Sequence, residues 1–221
     1  MSFFNLLSYF FYIGINWNWS IAYTIILQEI QGEKKYGINT TGADELMELK
    51  KIGVDISHAT IYMPVSYQLL DIIFTYLPKQ NRHHFLDIGC GKGRAICVAA
   101  YCGFEKVTGI DFSKKFCEIA EENFIKIQTK IEHKTYSIVH KNILNYTIPI
   151  DVSCIFLFNP FDAEIMQQVV ENIIINLQQQ PRTINIVYVN PLYKYLFIEA
   201  GFKEIFYTKQ KKYFEVSIFT N

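Results

Sequence analysis

The sequence has no surplus of either charge: Lys plus Arg and Asp plus Glu each number 21 in a chain of 221 residues. A large phosphate-tracking surface needs a basic excess, so extensive nucleic-acid binding is disfavoured. Cysteine is scarce and shows no C-x-x-C pairing. The thiols at Cys90, Cys97, Cys102, Cys117 and Cys154 are odd in number, which argues for reduced side chains in a cytoplasmic setting. The histidines at 58, 83, 84, 133 and 140 show none of the spacings that hold zinc, so no metal is expected. A G-x-x-x-x-G-K-[ST] loop is absent, which removes one common way of gripping a nucleotide. There is no internal repeat. Most unusual, Met1 to Gln28 contains no charged side chain.

That uncharged start is rich in aromatic and aliphatic residues. A bilayer core takes ~20 apolar residues of helix, so the length suffices, but Asn5, Asn16, Asn18 and several serines interrupt it. It lacks the basic start and small-residue cleavage site of a signal peptide. Trp17 and Trp19 suit a membrane interface better than a bilayer centre, and Lys34 and Lys35 would keep the following residues on the cytoplasmic side. Two main readings stay open: peripheral membrane contact through residues 1–28, or two short helices packed on the domain over its ligand cleft. A full span is the lesser third. Residues 29–43 read as a polar connector, and the spacing predicts a short helix over 43–51 and a longer one over 65–77, the latter closed by Pro78. The division is an N-terminal helical extension with connector over 1–57 and a main domain over 58–221.

Strands and helices then alternate. Strands are expected at 84–88, 106–111, 136–140, 152–158 and 183–189, with helices at 93–102, 114–129, 163–178 and 191–200. Two strands, 202–208 and 213–219, close the chain around a Lys-rich turn. This pattern predicts an α/β fold: a Rossmann-like, doubly wound, mostly parallel seven-stranded sheet with an antiparallel C-terminal hairpin.

The most informative stretch is Phe85-Leu-Asp-Ile-Gly-Cys-Gly-Lys-Gly-Arg94. Glycines at 89, 91 and 93 permit positive φ and let a ligand approach the backbone. An acid 22 residues after the first glycine, Asp111, is placed to grip a ribose diol. The dinucleotide order G-x-G-x-x-G would need glycine where Arg94 stands. Asp87 before the loop suits a cationic ligand better than a pyrophosphate, such as the amino acid end of S-adenosyl-L-methionine. Asp87-Ile-Gly-Cys-Gly-Lys-Gly93 resembles the first motif of the class I S-adenosylmethionine-dependent methyltransferases. The resemblance spans about residues 60–221 and extends to Phe158-Asn-Pro-Phe161 and Val187-Tyr-Val-Asn-Pro191. It is nearest to small bacterial enzymes of undefined substrate, and more distant from protein-lysine methyltransferases of membrane-embedded ATP synthase subunits. It implies S-adenosyl-L-methionine as cofactor, S-adenosyl-L-homocysteine as product, and cofactor contacts from Asp87, Gly89, Cys90, Gly91, Gly93, Arg94, Asp111, Phe112 and Asn142. Asn142 stands where the family often has an acid for the adenine amine. Cys90 reads as space-filling.

Methyl transfer needs an acceptor lone pair aligned with the methyl group and water excluded. Asn159, Pro160 and Phe161 suit that task, since an amide oxygen and a fixed carbonyl can both accept hydrogen bonds from an amine. The run resembles the Asn-Pro-Pro-Tyr/Phe signature of amino-group methyltransferases, less one proline. Asn190 at the next strand end and Tyr62 before the core complete the catalytic candidates, with His58 or Tyr62 as base. The expected function is methyl transfer to nitrogen on a protein lysine or small amine. The alternatives are an adenine-amine methyltransferase of RNA or DNA and a catalytically silent cofactor-binding module.

Overall fold

The computed structural model describes residues 3–16, 18–41, 64–131, 134–209 and 215–221. Seven strands form one sheet: β1 His84–Ile88, β2 Lys106–Asp111, β3 Thr135–His140, β4 Cys154–Phe158, β5 Asn185–Val189, β6 Lys203–Lys209 and β7 Glu215–Thr220. Their spatial order is β3-β2-β1-β4-β5-β7-β6. The first five are parallel, and β7 runs antiparallel between β5 and β6. The order reverses beside β1, and in such sheets the crevice beyond the strands' carboxyl ends at that reversal receives the ligand.

The described helices are α1 Phe3–Asn16, α2 Trp19–Tyr36, α3 Tyr67–Tyr76, α4 Arg94–Tyr101, α5 Lys114–Gln128, α6 Ala163–Gln179 and α7 Lys194–Glu199. Strand alternation divides the core into two layers. Phe85 points to the layer holding Leu70 of α3, Ile96 of α4 and Phe124 of α5. Its neighbours Leu86 and Ile88 point to the layer holding Met166 of α6 and Phe197 of α7. Each such buried side chain contributes roughly 1.5–3 kcal/mol. Ends are closed by side chains: Ser66, Ser113 and Asp162 accept from the first turns of α3, α5 and α6. Arg82 donates to Leu77 O at 3.0 Å and also reaches Phe74 O and Cys102 O, satisfying carbonyls left over at two helix ends.

The expected helix near 43–51 lies outside the described residues. The uncharged start folds as α1 and the first half of α2, packed around Tyr9, Ile13, Ala22 and Ile25. Among the described residues no helix is long and apolar enough to cross a membrane. The second half of α2 joins the main domain. Gln28 bonds Gln68 at 2.7 Å, and Tyr36 and Ile38 lie in the same buried layer as α3 and α4.

At the amino ends of the strands sits a mutually paired polar cluster. His84 is buried, with Asp151 on Nδ1 at 2.9 Å and Thr108 on Nε2 at 2.8 Å. Lys106 donates to the other Asp151 oxygen at 2.9 Å.

Candidate active site

The opposite edge of the sheet is organised by the glycine loop. Gly89, Gly91 and Gly93 take φ values of 79°, 51° and 81°, a region that side chains bearing a Cβ disfavour. Gly89 N and Cys90 N both donate to Ile110 O at 2.9 Å, tying the loop to β2. Cys90 fills the hollow left by Gly109, where a Cβ would lie 2.8 Å from its sulfur. Gly93 packs against α5, since a Cβ there would lie 2.9 Å from Ala120. The loop is therefore tied to β2 by backbone hydrogen bonds, and Gly89 and Gly93 have no room for a side chain.

Asp111, at the end of β2, accepts from Gly91 N at 2.8 Å and from Ser113 N at 2.9 Å. Burial pushes its carboxyl up to about 6, against the pull of those amides. Asp87 is buried beside it. Burial first, then the Asp111 charge, push Asp87 well above the usual carboxylate range. No described residue donates a hydrogen bond to the Asp87 carboxylate. A buried acid without a donor is a cost unless something cationic meets it. This is the observation that fits the amino group of a methionine moiety. Phe112 is half-buried, with its carbonyl 3.0 Å from His140 Nε2.

Two expectations change in detail. Asn142 was expected to offer its amide oxygen to an adenine amine; that oxygen also accepts from Leu144 N at 2.9 Å, capping a short 3-10 turn, which leaves it one further lone pair. Arg94 was expected at the cofactor. Its guanidinium is buried and turned toward α2, where Glu29, Thr40 and the Val65 carbonyl engage it. Its presence in place of a third glycine follows from that partner.

At the ends of β4 and β5 stand Asn159 (φ 38°) and Asn190 (φ 49°), the non-glycine residues with positive φ among those described. Each precedes a proline, which itself disfavours helical backbone. Such strain clusters at functional sites. The register pairing Phe158 with Val189 sets the two asparagines side by side. Asn159 is buried, and Tyr188 Oη donates to its Oδ1 at 3.2 Å. Tyr188 is thus the residue of the β5 end that meets Asn159, a contact no sequence pattern singled out. Pro160 meets the glycine loop, because a Cβ on Gly89 would fall 2.9 Å from Pro160 Cβ. Phe161 packs half-buried against the α6–α7 layer. Tyr62 and His58 lie outside the described residues. Among those described, no group of three His, Cys, Asp or Glu is placed to hold a metal.

Comparison with known proteins agrees with this geometry. Residues 85–180 match the family model described as a methyltransferase domain. A ribosomal protein L11 methylase from Lactobacillus delbrueckii superposes with a TM-score of 0.50 at 17% identity, covering 70% of this chain and 76% of that one. An RNA methyltransferase from Salinibacter ruber, in complex with S-adenosyl-L-homocysteine, gives 0.50 at 12% identity over 72% and 92% of the two chains. A candidate methylase from Haemophilus influenzae gives 0.51 at 16% identity over 70% and 94%. No curated protein matches.

Proposed function

We propose that this protein, a class I S-adenosylmethionine-dependent methyltransferase by its fold and by the family model it matches, methylates a nitrogen acceptor on a protein lysine or small amine. The observation that carries this reading is Asn159. It is buried at a strained strand end against the glycine loop, with its carboxamide oriented by Tyr188. Asp87 would meet the amino group of the cofactor, the loop amides and Asp111 its polar middle, and Phe112 its adenine. When bound, the cofactor supplies a methyl group on a sulfonium. Asn159 and the Pro160 carbonyl accept hydrogen bonds from the N–H groups of the acceptor, and Phe161 excludes water beside it.

Balanced charge favours a protein or small-molecule acceptor over nucleic acid. On the α1–α2 hairpin, Phe11, Ile15, Trp19 and Tyr23 are exposed, which supports peripheral lipid contact and an acceptor near a membrane surface. The free thiols are in keeping with a cytoplasmic enzyme.

The test is transfer of a labelled methyl group into protein, membrane, RNA and small-molecule fractions counted separately. Label is expected in the protein or small-amine fractions. In Asn159→Ala, cofactor affinity should stay within a few-fold while transfer falls about 100-fold. Label confined to RNA would overturn the acceptor assignment. Tight cofactor binding with no transfer to any fraction would favour a silent binding module.

A further inference from the structure

The position after the last glycine carries the longest donor side chain available, yet that side chain leaves the ligand crevice. Arg94 opens α4, is 2% exposed, and lies between the cofactor loop and the N-terminal extension. Its two terminal nitrogens take both oxygens of Glu29, with Nη1 to Oε1 at 2.7 Å, across 65 residues of sequence. Nη1 also reaches Val65 O at 2.8 Å and Nε reaches Thr40 Oγ1 at 2.7 Å. The guanidinium lies over the Tyr67 ring at 4.1 Å, and Tyr67 stacks in turn on Tyr36. Gly32 makes this approach feasible, since a Cβ there would fall 2.1 Å from the Tyr67 ring.

The link is doubled on the other side of Gly93. Lys92 Nζ donates to Thr41 O at 3.2 Å, and Asn123 donates to both Lys92 O and Asn39 O. Thr40 N and Thr41 N donate to Glu33 at 2.8 and 3.0 Å. Both residues flanking the third glycine are therefore held from α2 and from the segment just after it. A bidentate guanidinium–carboxylate pair fixes angle as well as distance, which a single lysine contact would not.

We infer that Glu29 is a positioning residue for the cofactor: through Arg94 it sets the Gly91–Gly93 backbone that must face the ligand, so the N-terminal hairpin is part of the cofactor site. The inference rests on the cofactor reading above. Coupling of this kind is reciprocal: whatever α2 does to the ligand, the ligand must do to α2.

The wild-type protein provides the first measurement. Adding S-adenosyl-L-homocysteine should slow amide exchange at residues 89–94 and also at 29–41. Protection confined to 89–94 overturns the coupling and leaves the cofactor reading standing; protection at neither removes both. The second measurement is calorimetry on Glu29→Gln, at a temperature where circular dichroism shows it folded. S-adenosyl-L-homocysteine affinity should fall about tenfold, within the range such couplings span. Affinity equal to wild type in a variant whose Tm has dropped would make the pair structural only. Arg94→Lys, which keeps the charge and loses the fork, should reproduce the Glu29→Gln affinity; wild-type affinity there overturns the inference too.

Discussion

The two ends of one sheet treat the same residue types in opposite ways. At the amino ends, Asp151 is paired with Lys106 and His84, and those partners hold its carboxyl down to about 2. At the carboxyl ends, Asp87 has no donor among the described residues and Asp111 is pushed up to about 6. The backbone follows the same division. Relaxed strand starts at one end face a row of left-handed residues at the other, namely Gly89, Gly91, Gly93, Asn159 and Asn190. One end is complete without a ligand. The other is arranged so that a ligand completes it.

The largest effect that should separate the ends is Asp111→Ala. It removes the acceptor for Gly91 N and for the proposed ribose contact, and hydrogen bonds to a charged group contribute about 1.5–3 kcal/mol each. Calorimetry should therefore show cofactor affinity falling about 100-fold. Unchanged affinity would mean the ligand lies elsewhere. Next comes His84→Ala at the other end. It leaves a void and unpairs Thr108, costing about 2–4 kcal/mol in denaturant unfolding, with cofactor affinity the same as wild type. A matching loss of affinity would show that the ends are not separable.

The smallest effect is in pH dependence, and its sign differs between the ends. Asp151 binds fewer protons folded than unfolded between pH 2 and its ordinary value of 3.8, so its stabilisation is lost as pH falls through that window. It is half exposed, so this amounts to less than about 1 kcal/mol. Asp111 binds more protons folded than unfolded between 3.8 and about 6, so it destabilises the ligand-free protein as pH rises through that window. His84, lowered by burial, works the other way just below its ordinary 6.5. The variant Asp111→Asn isolates the Asp111 contribution: its Tm should fall less than that of wild type between pH 4 and 6. Identical slopes would contradict the raised carboxyl.

The alternation of strands and helices was legible because each strand is short, apolar and bounded by turn residues, as in Phe85–Ile88 before Gly89. The loop was legible because glycine spacing is a local backbone property. The destination of Arg94 was not: nothing near it in sequence identifies a partner 65 residues away. The cap formed by Asn142 was not legible either, because an asparagine at a strand end serves equally well as a ligand contact and as a cap. Tyr188 is buried in β5. That its hydroxyl reaches Asn159 depends on the register between β4 and β5, and no single strand carries that information.

The close approach of Pro160 to Gly89 has a practical consequence for redesign. The wall that would shape acceptor choice and the turn that would cradle the methyl donor share a surface with no spare ångström between them. If Pro160 lines the acceptor site as proposed, it does not act as an isolated lever on acceptor choice. A residue there whose side chain extends toward Gly89 would press on the donor turn as well, so productive variants should arise as pairs, with compensating change on the glycine side.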